Sequence, residues 1–186
     1  MARFQHRKLV QRLPSTPLTF NSLDDVHRWA IVLTRTLTGV DDEPVLSARV
    51  THSVAQSIAN NTFPKLVFDT ARWNDGGLWD STANTKLTAP VSGLYVIGAH
   101  IEWEPNAAGI RVLELVQSSV SVIASIWQSA AVNGPTRQSI ATLWYLAVND
   151  FVEVQVSQDS GGPLLVPASS KYSPEFWMQW LSPLQE

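Results

Sequence analysis

The chain has 186 residues, of which 45% are hydrophobic and 16% charged, a composition that suits a packed core and excludes a disordered chain. It has no cysteine, which excludes disulfides, thiolate metal sites and a cysteine nucleophile. Its net charge of −3 is uneven: residues 1–40 hold six Lys and Arg against two Asp, and the rest holds seven against fourteen acids.

Residues 1–20 carry Arg3, Arg7, Lys8 and Arg12 and no acid. Pro14 and Pro17 interrupt them and no period is sustained, so they read as an extended basic arm. No apolar run follows the bases, so a secretory signal is not expected, and nothing in the chain approaches the ~20 apolar residues of a membrane span. A basic arm on an acidic body suits nucleic acid or another acidic surface. With only Phe4 and Phe20 as aromatics, the arm lacks the stacking side chains of a nucleic-acid binder, and nucleic acid is the weaker expectation. A plain solvated tail is the other reading.

Residues 21–38 read as one helix. Asn21 or Ser22 can cap it, Asp24 and Asp25 complement its dipole, and Gly39 is placed to end it. Leu23, Val26, Ala30, Leu33 and Leu37 recur in steps of three and four, the seam of a short coiled coil. An ordinary amphipathic helix lying on its own body fits the same pattern. So short a helix is marginal alone. Residues 39–44 (GVDDEP) form a polar linker.

From residue 45 the period changes to two. Strands are expected at about 45–55, 63–69, 85–88, 93–104, 110–117, 120–128, 138–147, 151–158, 163–166 and 175–181. Between them lie turn signals such as Asp75-Gly76-Gly77, Asn133-Gly134-Pro135, Asn149-Asp150 and Gly161-Gly162-Pro163. About ten such strands over 45–186 give an all-β antiparallel sandwich or barrel. Tyr95, Ile97, Ala99, Ile101 and Trp103 share one strand face, and the opposite face holds Leu94, Val96, Gly98 and His100. In 138–147, Ile140, Trp144 and Leu146 oppose Ala141, Leu143, Tyr145 and Ala147. Neither face is properly polar. One then fills the sandwich and the other meets another copy, so the expected trimer and core residues are Tyr95, Ile97, Trp103, Leu143 and Tyr145. Eight Trp fit large buried contacts.

The segment WDSTANTKLTAPVSGLYVIGAHIEW, with Trp79-Asp80, Asn84, Leu87, Pro90, Gly93 and Tyr95, resembles the signature of the globular head of complement component one, subunit q. The likeness continues in Phe68-Asp69-Thr70, in Arg111 to Leu115, in Asn149 to Val154 and in Ser173-Pro174-Glu175-Phe176, over roughly residues 46–182. It implies the ten-strand jelly roll that these heads share with tumour-necrosis-factor-like proteins, assembled as a homotrimer. The chain departs from animal members: it has no collagen repeat and no cysteine, and Leu87 and Ile97 stand where aromatics are common. An arm, a brief helix and then this body more closely resembles bacteriophage virion proteins, the short tail fibres, head-decorating fibres and receptor-binding knobs. That resemblance implies docking to other virion proteins through Arg3, Phe4, Arg7, Lys8 and Arg12, a trimeric helical stalk, and an outward head that binds a host-surface glycan or protein or decorates the particle. It places the protein in the virion, assembled in the bacterial cytoplasm. A free trimeric lectin-like or cytokine-like module is the alternative.

The chemistry-bearing residues point away from catalysis. Gln158-Asp159-Ser160-Gly161-Gly162-Pro163 resembles a serine-protease nucleophile loop and Ala99-His100 a histidine segment. The loop's first Gly is replaced by Gln158, and too little chain separates His100 from Ser160 for that fold, leaving a serine hydrolase as a remote alternative. His6, His27, His52 and His100 lack metal-ligand spacing. Asp69, Asp75 and Asp80 lie in Gly- and Asn-rich turns that suit calcium weakly and simple turn chemistry better. No other cofactor is called for. Asn60-Asn61-Thr62 matches a glycosylation acceptor. Receptor contacts are expected at loop tips, namely Arg72, Trp73, Asn74 and Asp75, and Gln128 to Arg137.

Overall fold

Strict alternation along the strands lets each contribute one apolar row to a shared interior. The computed structural model describes residues 45–168 and 174–183. The expected arm, helix and linker, with the docking residues 3–12 and the stalk residues 23–37, lie outside the described residues.

The first sheet has five antiparallel strands, β1 (Ser47–Thr51), β3 (Thr70–Asp75), β5 (Gly93–Trp103), β8 (Thr136–Leu146) and β11 (Glu175–Ser182), in the order β3-β1-β11-β5-β8. The second has β4 (Lys86–Thr88), β6 (Ile110–Gln117), β7 (Ser121–Ser129) and β9 (Phe151–Gln158), in the order β4-β9-β6-β7. A short pair, β2 (Gln56–Ile58) with β10 (Leu164–Val166), completes the body. Alternation sets the rows that face the interior, although β6 buries six residues in succession, Arg111 to Val116. Tyr95, Ile97, Ala99, Ile101 and Trp103 of β5 and Phe176 and Met178 of β11 are buried with Leu113 and Leu115 of β6 and Val152, Val154 and Val156 of β9. Each large side chain so covered contributes roughly 1.5–3 kcal/mol.

The most specific segment of the sequence has a steric reason. The Tyr95 hydroxyl donates to the Val91 carbonyl at 2.6 Å, tying the strand to the turn before it. Two residues earlier, a β-carbon on Gly93 would fall 2.3 Å from Trp180 Nε1 and 2.5 Å from the Ser182 carbonyl oxygen, so only glycine lets β11 close over this corner. At one end of the sandwich Trp103 Nε1 donates to Gln138 Oε1 at 2.9 Å, and Gln138 Nε2 donates to the Arg111 carbonyl at 3.1 Å. The Arg111 guanidinium is wholly buried and donates to the carbonyls of Asn106, Ala108 and Ile110, gathering the 104–109 connection around one cation. Burial pushes its pKa down, opposed by the charge of Asp159.

Four expectations are corrected. The described residues form eleven strands, not ten. The run 63–69 is not a strand, although Leu66 and Phe68 are core residues; it meets β9 at a single bridge, Lys65 to Gln155. Pro64 has no N–H to pair, and the Gln56 side chain takes over by donating to the Lys65 carbonyl and accepting from Val67 N. The expected run 45–55 ends at Thr51, and residues 56–58 form a separate strand. Residues 70–75, expected as turn and loop, are the edge strand β3.

Candidate functional site

The outer face of the five-stranded sheet carries most of the side chains that the core does not claim. Register sets them in rows. In one row Trp73 of β3 pairs with Arg49 of β1, Arg49 with Trp177 of β11, and Trp177 with Gly98 of β5. The Arg49 guanidinium lies 5.8 Å from the Trp73 ring and 5.2 Å from that of Trp177, a cation between two π-faces. Trp73 Nε1 donates to Ser47 Oγ at 3.1 Å. In the adjoining row the buried carboxylate of Glu175 accepts from both Arg49 and Arg72. His100 stands beside it in register and 5.8 Å from the Trp177 ring.

Toward the other margin the same face turns apolar. Leu94 pairs with Tyr145, Val96 with Leu143, and Gly98 with Ala141. Leu143 is 56% exposed and Tyr145 44%. A sheet face meant for water carries polar side chains; here neighbouring outward positions are leucine, valine, tyrosine and alanine. The strip continues round the margin where β8 nears β7. There Trp144, 38% exposed although it lies on the inward row, donates through Nε1 to Gln117 Oε1 at 3.0 Å, and Ile123, Ile126 and Ile140 are half-buried.

The structure divides the expected trimer and core residues. Tyr95, Ile97 and Trp103 are wholly buried within one chain, and Leu143 and Tyr145 are on the surface. The expected receptor loop at 72–75 is corrected, because these residues belong to β3 and most of their groups are spent on the fold. Arg72 holds Glu175, Trp73 flanks Arg49, and Asn74 makes two hydrogen bonds to the backbone of Trp79 at 2.9 and 3.0 Å. Arg137, expected in a loop, is in β8 and pairs with Glu102 at 2.6 Å. Between β7 and β8 a tip remains at residues 130–135, with Val132 79% exposed.

Asp69 and Asp75 lie at opposite ends of β3, separated by about 20 Å at the rise of a strand. Asp69 accepts from Ser53 N, Ser53 Oγ and Thr70 Oγ1 at 2.8–2.9 Å. Burial pushes its carboxyl up, but these bonds and nearby His52 outweigh it and hold it below its ordinary value. Asp80 accepts from Thr82 N and Oγ1, which lowers it likewise. Each of these two carboxylates closes its own turn, and among the described residues no three His, Cys, Asp or Glu gather around a metal position.

Ser160 Oγ donates to Gln158 Oε1 at 2.6 Å within its own turn. His100, on β5, packs against the Trp177 ring. His52 is buried. Its Nε2 is 3.2 Å from the Pro167 carbonyl, and its Nδ1 makes no hydrogen bond among the described residues. Burial lowers its pKa, partly offset by that carbonyl and by Asp69.

No family model matches the chain. A curated relative, an uncharacterized protein named L688 from Acanthamoeba polyphaga mimivirus, is 25% identical over 101 residues, which are 52% of this chain and 43% of the relative. The match thus spans less than half the relative's length. Among solved structures, the Eiger TNF of S. frugiperda superposes with a TM-score of 0.53 at 12% identity, covering 77% of this chain and 97% of that one. Murine APRIL superposes with a TM-score of 0.56 at 9% identity, covering 74% and 99%. The antiparallel sheets, their strand order and these superpositions agree that the described residues, 45–168 and 174–183, have the tumour-necrosis-factor-like jelly-roll fold.

Proposed function

We propose that this chain is a non-enzymatic binding module that works as a homotrimer on a virus particle. The observation that carries the reading is the apolar strip of Leu94, Val96, Leu143 and Tyr145 on the outside of a closed sandwich. The strip occupies a face, whereas Trp144 and its isoleucine neighbours occupy a margin. A face on one copy that meets a margin on the next makes a heterologous contact, which closes into a ring when the rotation permits. The complement-head-like segment around Gly93 and Tyr95 implies that the ring has three members. Three copies would also bring together three basic arms and three helices, and a multivalent anchor strengthens attachment without any new contact.

The mimivirus relative supports a viral setting. The resemblance to phage fibres and knobs supplies the finer reading, in which residues 1–20 dock on the particle and the head faces outward for adhesion or decoration. The Ser160 hydroxyl, spent on Gln158 Oε1 within its own turn, supports binding without catalysis. A free ligand of the lectin or cytokine kind is the second reading, favoured by the likeness to Eiger and APRIL.

Native mass measurement on the full chain and on a chain lacking residues 1–20 tests both. Trimers of each, with only the full chain joining particles, are expected. A monomeric full chain overturns the assembly. Particle incorporation that survives the deletion overturns the docking arm, and a trimeric full chain that joins no particle leaves the free-ligand reading.

A further inference from the structure

The outer face of the other sheet carries a cleft that the self-association reading does not use. Across β7, β6 and β9 one outward row runs Trp127, Val112, Ser157. Trp127 is 61% exposed, yet its indole is tethered: Nε1 donates to Ser125 Oγ at 2.9 Å, and Ser125 donates to Glu114 at 2.9 Å. The segment before residue 65 is clipped to β9, with Gln155 Nε2 donating to the Phe63 carbonyl at 2.6 Å and Asn61 N donating to the Gln158 carbonyl at 2.8 Å. These bonds bring Phe63 and Asn61 to the row's end. Ile110 and Asp159 close a third side, joined by a hydrogen bond from Ile110 N to the carboxylate.

The result is an open hollow of about 160 Å³ with apolar walls and a polar rim. Its polar groups are only partly spent. The Ser157 hydroxyl and the Asn61 side-chain amide make no hydrogen bond among the described residues, and Asp159 uses one carboxylate oxygen on Ile110. An aromatic plate held in place beforehand, beside convergent donors and acceptors, is the chemistry that recognises a ring with one apolar face and a belt of hydroxyls. The plate needs no ordering on binding.

We propose that this cleft binds an uncharged saccharide, one pyranose ring stacking on Trp127 while Asn61, Ser157 and Asp159 meet its hydroxyls. Among the described residues no Lys or Arg lines the cleft and a carboxylate does, which disfavours sialylated or phosphorylated sugars. The cleft crosses three strands instead of following one free edge, so it lacks the backbone row that an extended peptide pairs with. It lies on the sheet opposite the apolar strip, and although Trp127 shares β7 with the margin residues Ile123 and Ile126, those two pack against the core while Trp127 is on the outward row. The inference deepens the binding-module reading and rests on it.

The test is the full chain on an array of neutral, amino and sialylated glycans, followed by titration with the best neutral monosaccharide. Binding to neutral glycans is expected, weakened at least about tenfold by Trp127→Ala and retained in part by Trp127→Phe. Asn61→Gly, which removes the amide and keeps the left-handed backbone there at ease (φ 56°), should also weaken it. No neutral glycan bound, binding confined to sialylated glycans or to peptides, or equal binding by the Trp127→Ala and Asn61→Gly variants overturns the site. Native mass of the same samples separates the two ideas. A trimer indifferent to Trp127 sinks the cleft alone, whereas a monomer that binds sugar through Trp127 sinks the assembly alone.

Discussion

The Trp177 indole rests against the bare α-carbon of Gly98: a β-carbon there would lie 2.4 Å from Trp177 Cζ2 and 2.9 Å from the Ile140 carbonyl oxygen. One of the two neighbours is backbone in the adjacent strand, so the added methyl cannot be relieved by a side-chain rotation alone. Gly98→Ala is therefore expected to cost roughly 1–3 kcal/mol, a fall in Tm of several degrees for a chain of this size. Trp177→Phe should recover part of the loss when combined with it, a coupling that a double-mutant cycle reads directly. A Gly98→Ala melt superimposable on the parent contradicts the contact.

Leu143 points away from the core, so a charge there spares the fold and strikes the proposed contact between copies. Leu143→Glu should keep the circular dichroism of the parent while shifting the assembly constant at least about a hundredfold toward monomer, close to 3 kcal/mol. Native mass and sedimentation at matched concentration check this. An undisturbed trimer moves the contact elsewhere on the surface.

His52 gives the fold an acid-sensitive point. Burial holds its folded pKa below the ordinary 6.5, so below that value the unfolded chain takes up more protons than the folded one. Stability from this group is complete above about pH 6.5 and declines as pH falls toward the folded pKa. Asp69 acts in a lower window, complete above its ordinary 3.8 and lost as pH falls through its depressed folded value. His52→Gln should flatten the loss between pH 7 and 5 and leave the steeper loss below 4 in place. Denaturant titrations at stepped pH read both, and an unchanged slope above pH 5 in the variant removes His52 as its source.

Period-two alternation was enough to find β5, β6, β8, β9 and β11, because these long strands have one face in the core and few turn residues inside them. The same alternation exposed the second apolar row of Leu94, Val96, Leu143 and Tyr145, so the outward apolar strip was legible. The edge strand β3 was not. TARWND buries no side chain fully, since its Trp and Arg serve the outer face, and an unburied strand has no apolar rhythm. The segment at 63–69 has the rhythm without the pairing, because Pro64 and a side-chain clamp from Gln56 replace the ladder. The cleft at Trp127 was hidden for another reason. Asn61, Phe63, Trp127 and Asp159 come from distant parts of the chain, and only the register of β6 with its two neighbours makes them adjacent.

The guanidinium of Arg111 makes the two ends of the sandwich unequal as ground for new loops. Lengthening the 104–109 connection withdraws carbonyls from a sealed cation that has no carboxylate hydrogen-bonded to it, and the whole end must then be rebuilt around a stranded charge. Gly134, at the tip between β7 and β8, has no atom within 4 Å of where a side chain would begin. Insertions, grafted epitopes and the drift of recognition loops are thereby steered to 130–135, and the Arg111 end is the part of the scaffold to leave untouched.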